Sequence, residues 1–195
     1  GDNDANHAHL DLGTFVLDAR GVRWALDLGR DDYALPGYFM GGKSKYYRLR
    51  TAGHNTLLLE GKDQGTRARA PITGFATSGG GGWAVADLSD AYGLPPGSVR
   101  RGVRRVGRDV AMVQDEFELA SGSEITWQMH TRAEVELRGA VATLRRDGRE
   151  LTAHDVVHTI CRQLCPERSE NSLAFSYLMV IQGAPEFSRG ERTVL

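Results

Sequence analysis

The chain has 195 residues, of which 41% are apolar and 25% charged, and a formal net charge of −1. A chain of this length can bury a sizeable core without disulfide staples, and its composition is that of an ordinary globular protein. The near-zero charge excludes any global attraction to nucleic acid or to an anionic membrane, so an acidic ligand would need a local basic patch.

Residues 14–18 alternate, with Phe15 and Leu17 on one face. Residues 22–27 alternate again, with Val22, Trp24 and Leu26 on one face and Arg23, Ala25 and Asp27 on the other. Ala19-Arg20-Gly21 can turn the chain between them, which predicts a β-hairpin. The stretch 30–53 is rich in Gly, Tyr and charge, contains Pro36-Gly37 and Gly41-Gly42, and reads as a long loop. Loops of that length in compact domains are often functional. Strand patterns resume at 54–60 and recur at 66–77, 83–88, 99–106, 110–119, 124–131, 134–137, 140–145 and 150–153. Turn-forming breaks separate most of them, among them Gly79 to Gly82, Pro95-Pro96-Gly97, Ser121-Gly122 and Asp147-Gly148. Many short strands at this spacing, with no helical stripe over 1–153, predict an all-β antiparallel sandwich. The alternation fails after residue 153, which sets 154–195 apart as a C-terminal continuation. There, 154–164 can form a short helix that Pro166 ends. The apolar run 173–182 fits a buried strand or a helix segment, and periodicity does not choose between them. No apolar run reaches the roughly 20 residues of a membrane-spanning helix.

Several side chains can carry chemistry. If 6–11 is extended, His7, His9 and Asp11 project to one side, because strand side chains repeat every two residues. Two such imidazoles can approach one metal ion, or one can bind metal while the other faces a substrate. A pair of solvated or core histidines is the plainer reading of the pattern. Asp27 adds an oxygen at the end of the second hairpin strand, where a turn or capping role is also open. His54 starts a strand after the long loop. His, Asp and His form a donor set suited to Zn²⁺, although spacing alone does not bring them together. The run 43–50, Lys-Ser-Lys-Tyr-Tyr-Arg-Leu-Arg, is the most basic and aromatic segment before His54. Its cations suit carboxylate or sulfate, and its rings can stack on sugars; a solvated charged loop is the plain alternative. Arg100, Arg101, Arg104, Arg105 and Arg108 read as the exposed face of a strand, and His130 as a core or sheet-face histidine. Cys161 and Cys165 read as inert thiols rather than a redox or metal pair.

Taken together, three segments carry a resemblance: Asn6-His7-Ala8-His9-Leu10-Asp11 with Gly13-Thr14-Phe15, then Leu26-Asp27-Leu28-Gly29 with Tyr33, then Tyr47-Arg48-Leu49-Arg50-Thr51-Ala52-Gly53-His54-Asn55-Thr56. Later pieces agree, including Ala84-Val85-Ala86-Asp87-Leu88 and Trp127-Gln128-Met129-His130-Thr131. Over roughly 1–153 the chain resembles the C-terminal β-sandwich portion of the heparinase II/III-like polysaccharide lyases. The resemblance implies an N-terminal α-helical toroid, a cleft between toroid and sandwich, and an acidic polysaccharide substrate such as a glycosaminoglycan or alginate. Cleavage would be a β-elimination, and the parent enzyme would be periplasmic or secreted. By position, it implies a catalytic His7 lining the cleft and a structural Zn²⁺ on His9, Asp27 and His54. Tyr33, Arg48 and Asn55 would be substrate contacts. The chain opens Gly1-Asp2 without an initiator Met or a visible signal peptide and reads as part of a longer protein. The acid/base Tyr and accompanying His of the family belong to the toroid, so this chain alone is expected to be inactive. Two rival readings stand beside it: a non-catalytic, metal-stabilised carbohydrate-binding sandwich, and a cupin-like metal oxygenase, against which His54-Asn55-Thr56 has a different local pattern.

Overall fold

The computed structural model describes residues 1–39, 45–120, 122–155 and 172–182. The alternating segments form twelve strands among these residues: β1 (Leu17–Ala19), β2 (Val22–Ala25), β3 (Leu57–Leu59), β4 (Ile72–Ser78), β5 (Gly81–Asp87), β6 (Val99–Val106), β7 (Val110–Glu118), β8 (Ile125–Trp127), β9 (Glu134–Arg138), β10 (Val141–Arg146), β11 (Arg149–Asp155) and β12 (Ser172–Gln182). Two hairpin turns show why the chain reverses where it does. Arg20 and Gly21 join β1 to β2 at φ of 53° and 72°, and Asp147 and Gly148 join β10 to β11 at 52° and 70°. Successive left-handed residues make the turn whose twist matches that of paired strands.

One layer is an eight-stranded sheet in the order β4-β5-β6-β7-β12-β11-β10-β9, with every neighbour antiparallel. The opposing layer is built from two ribbons, β1-β2 and β3-β8, with the segments that join them. Strand β7 explains the packing: Ala111, Val113, Asp115 and Phe117 are buried while their alternates are partly exposed. Leu17, Val22 and Trp24 of the first ribbon pack on Ala111, Val113, Leu144 and Leu151 of the sheet. Leu57 and Leu59 of the second pack on Leu88, Val99 and Phe117. Each fully buried Leu or Phe contributes about 1.5–3 kcal/mol by leaving water. The result is the expected all-β antiparallel sandwich, and its ribbon layer carries the site residues.

Two expectations change. Arg101 is not on an exposed face: it is buried on the inner side of β6, with Nε and Nη2 donating to the two carboxylate oxygens of buried Asp115 at 2.6 and 2.8 Å. Its register partner is Asp115, so the two side chains meet across adjacent strands on the same face. The candidate helix 154–164 does not begin as one, because His154 and Asp155 end β11 and pair with Leu178 and Tyr177 of β12; 156–164 lies outside the described residues, as do Cys161 and Cys165. The run 173–182 is strand, and β12 sits between β7 and β11 in the middle of the large sheet. A continuous apolar run suits a strand paired on both edges.

Candidate functional site

The site grows from the N-terminal segment, which lies across the ribbon layer. Leu10 N–H donates to the Leu49 carbonyl at 3.0 Å. Leu12 is gripped by the Gln64 side chain, which accepts from its N–H at 2.9 Å and donates to its carbonyl at 2.8 Å. These bonds hold 7–9 beside the long loop. His7 is exposed and has a φ of 62°. Left-handed backbone is uncommon at a non-Gly residue and costs free energy that the surroundings must offset. Its ring lies 6.1 Å from that of Tyr33 and 6.0 Å from that of Phe39.

His9, Asp27 and His54 converge. Asp27 ends the β1-β2 ribbon, and its Oδ1 accepts the Gly29 N–H at 2.7 Å, an Asx turn made possible by Gly29 at φ 67°. Its Oδ2 meets His54 Nδ1 at 2.7 Å. A carboxylate accepts, so Nδ1 carries the proton and the His54 Nε2 lone pair is left. His54 is 0% exposed, and Nε2 has no hydrogen-bond partner among the described residues. The His9 ring stands 5.1 Å from the His54 ring. Burial by itself would raise the Asp27 carboxyl, but the bonds from His54 and Gly29, with the charges of His54 and His9, hold it below its ordinary value. An imidazole backed by a carboxylate, with its other nitrogen free, is a common way to present a metal ligand. Asp27 here stands behind His54, and among the described residues no group of three His, Cys, Asp or Glu side chains is arranged to hold a metal ion.

The next residue along is a clip. Asn55 is buried, and its Nδ2 donates to the carbonyls of Phe15 at 2.7 Å and Leu26 at 3.0 Å. Its Oδ1 accepts the His130 N–H at 2.6 Å and faces His130 Nδ1 at 3.2 Å. Each end of the amide is thereby occupied by protein, and the side chain ties His54 to both ribbons instead of reaching the surface. His130, read from sequence as a core or sheet-face residue, lies at the site, where its Nε2 is 3.1 Å from the hydroxyl of exposed Tyr47. Sequence reasoning missed this pair. The one available signal was His130 at the close of an alternating strand segment, too common to point anywhere.

The long loop builds the outer rim. Tyr33, Tyr38 and Phe39 pack with ring centroids 5.1–5.2 Å apart, and the Arg30 guanidinium sits 4.5 Å over the Tyr33 ring. Arg48 is committed to shaping this rim: Nη1 donates to the Leu28 carbonyl at 2.8 Å and to that of Arg30 at 3.3 Å, and Nε faces Asp31 at 3.3 Å. The expected loop 30–53 closes in two 3-10 turns, Tyr47–Leu49 and Thr51–Gly53. Gly53 lets them stack, because a Cβ there would lie 2.3 Å from the Tyr47 carbonyl. Lys43 and Ser44 of the basic run lie outside the described residues.

The model of a family described as Heparinase II/III-like, C-terminal, matches residues 1–176. The chain belongs to that family. Among solved structures, this heparinase II/III-like chain is similar to a heparinase III, the BT4657 gene product with methylated lysines, at a TM-score of 0.66 and 16% identity over 89% of its length. It is likewise similar to the heparan sulfate lyase HepC from Pedobacter heparinus, at a TM-score of 0.60 and 17% identity over 88% of its length. The chain spans 30% of the first of those chains and 28% of the second. No curated protein sequence matches it.

Proposed function

We propose that this heparinase II/III-like domain forms one wall of the cleft of a polysaccharide lyase that cleaves uronate-containing polysaccharide by β-elimination. The observation that carries the reading is the exposed, left-handed His7 beside the Tyr33 and Phe39 rings, on the same rim as the Asp27–His54 pair. Aromatic faces can stack on pyranose rings. Arg30 brings a cation to that face, and charge neutralisation is what a uronate needs before the proton next to its carboxylate can leave. In this reading His7 assists the reaction, Tyr33 contacts the substrate, and Arg48 and Asn55 serve it by shaping the rim. The solved neighbours named as a heparinase III and a heparan sulfate lyase favour a glycosaminoglycan over alginate as the first substrate to try. An α-helical toroid outside these residues would supply the opposite wall, in a periplasmic or secreted enzyme.

The reading includes a structural Zn²⁺ on His9, Asp27 and His54. Two imidazole nitrogens and a carboxylate oxygen form a donor set that suits it, and the buried, partnerless His54 Nε2 is the atom such an ion would satisfy. The ion would brace the cleft floor, while the protein side chains move the protons. Elimination is measured by the ultraviolet absorbance of the unsaturated product, using the full-length natural protein and then the 195-residue chain, which is expected to be silent by itself. Acidic oligosaccharide binding without cleavage by the full-length protein would replace the lyase reading with a binding module. Metal analysis of the wild type beside His9→Ala and His54→Ala should show zinc lost in both variants; unchanged zinc content would remove the metal site.

A further inference from the structure

We propose that the outer face of the large sheet carries a second saccharide site, where the Trp83 ring stacks on a sugar and Arg104 pairs with its carboxylate or sulfate. The ribbon layer and its rim lie on the opposite face, so the site is separate from the cleft. It shares with the reading above the class of polymer and does not depend on elimination.

Strand register builds the site. On the outer face Trp83 of β5, Arg104 of β6 and Met112 of β7 stand side by side, and the next row is Val85, Gly102 and Gln114. With Arg100 they line a hollow of about 160 Å³. Two glycines of this face lack a side chain for different reasons. At Gly74 a Cβ would come within 3.2 and 3.3 Å of Trp83 Cζ3 and Cη2, so Gly74 makes room for the indole. At Gly102 a Cβ would meet nothing closer than Val85 Cγ2 at 3.7 Å, and the backbone is not left-handed. Neither packing nor backbone conformation requires glycine there, and glycine inside a strand weakens it. A bare strand interior with open space above it is a place where a ligand can approach the backbone closely.

The side chains around this floor fit an acidic sugar. Trp83 is 42% exposed while its indole leans on Gly74, so an aromatic surface is held in place and left open. Arg104, its register partner, is exposed and has no hydrogen bond or ion pair among the described residues. Other arginines of the sheet are matched within the chain, Arg101 by Asp115 and Arg145 by Glu136 and Glu150. At the far end of the hollow, Arg100 Nε is buried without a hydrogen-bond partner among the described residues and faces Glu116 Oε2 at 3.7 Å. The carboxylates at that end are occupied. Glu116 Oε1 accepts from Gln114 Nε2 at 3.0 Å, and Asp87 accepts from the N–H groups of Ser89 and Gly97 at 2.9 and 2.8 Å. The open charge is therefore positive and beside the ring, which favours an anionic group on a stacked sugar over a neutral sugar.

A site on this face holds a long polymer near the enzyme without entering the chemistry. Only a chain long enough to pass around the edge of the sandwich can engage both faces. The gain in apparent affinity therefore belongs to polymer and not to a short oligosaccharide.

The test titrates the 195-residue chain with dextran sulfate, polyglucuronate and neutral dextran, following the Trp83 indole N–H by NMR, a signal that reads this face and not the rim. Trp83→Phe assigns the signal. The signal should move with the acidic polymers and not with dextran; a response to only one of the two names sulfate or carboxylate as the group recognised. Gly102→Thr fills the hollow with a residue that suits a strand and should keep the urea midpoint at or above that of the wild type. It should weaken binding about tenfold or more, the loss typical of a central contact. Arg104→Gln should weaken binding at least about threefold and flatten its dependence on salt. In the full-length natural protein, Gly102→Thr should raise KM for a uronate polysaccharide about threefold or more and leave kcat and the turnover of a tetrasaccharide unchanged. If Gly102→Thr binds within about twofold of the wild type, less than any central contact gives, or if dextran binds as well as the acidic polymers, this inference fails and the lyase reading stands. A polymer KM unmoved by Gly102→Thr would show the face covered by the rest of the protein and would also overturn the site. If the full-length protein eliminates nothing while the variants still lose polymer, the lyase reading fails and this site stands.

Discussion

Two acid–base side-chain pairs, one on the inner face of the large sheet and one in the ribbon layer, differ in one respect. Arg101–Asp115 closes on itself: both partners are buried, the carboxylate is held by two nitrogens, and Arg101 Nη1 donates to the carbonyls of Gly13 and Asn55 at 2.8 and 2.9 Å. His54–Asp27 stays open: His54 is equally buried, but Asp27 is partly exposed and His54 Nε2 has no partner among the described residues. Buried polar groups are ordinarily satisfied, because an unpaired one costs about 1–3 kcal/mol. The saturated pair therefore serves the fold, whereas the open one leaves a buried ring nitrogen without a partner among the described residues. The saturated pair also supports the open one, since Arg101 holds the carbonyl of Asn55, the residue after His54.

The largest effect should come from breaking the closed pair. Asp115→Ala leaves a buried, uncompensated guanidinium and is expected to cost about 3–5 kcal/mol of unfolding free energy in a urea titration. A loss below about 1 kcal/mol, typical of a surface ion pair, would abolish the contrast. Asn55→Ala comes next. It orphans the carbonyls of Phe15 and Leu26 and the His130 N–H, for an expected loss of about 2–3 kcal/mol. It should also release the His130 tautomer in nitrogen NMR.

The smallest effect belongs to Asp27. Its folded carboxyl lies below the ordinary 3.8, so its contribution to stability is complete above that value and is lost as pH falls through the folded value. Measured with chelator present, the acid limb of wild-type stability should fall more steeply below about pH 4 than that of Asp27→Asn. The difference should stay under about 1 kcal/mol because the carboxylate is partly exposed and screened. Identical acid limbs would mean that the Asp27–His54 bond contributes nothing to the fold.

How much was legible divides along the same line. Strand period was visible wherever one face is buried and the other wet: β6 has the bounds expected for 99–106, and β7 those of 110–119 to within one residue. The 54–60 pattern shrank to Leu57–Leu59 because side-chain clips occupy its start, where the Asn55 amide and the Thr56 hydroxyl bond across the layer. The meeting of His9, Asp27 and His54 was visible only through resemblance, since nothing in the spacing relates the end of a hairpin to the end of a loop. Arg101 looked like its exposed neighbours because burial of a charge depends on a partner 14 residues away.

The sequence alone therefore determined the period-2 strands, the left-handed hairpin turns at Arg20-Gly21 and Asp147-Gly148, and the residue types available for chemistry, because these depend on local sterics and on which face meets water. Tertiary structure alone decided that the apolar run 172–182 enters the middle of the large sheet, that Asn55 is spent on the fold, and that Tyr47 meets His130 across 83 residues of chain. Those outcomes depend on which backbone and side-chain groups are left unpaired once the layers close, and that accounting exists only in the assembled structure.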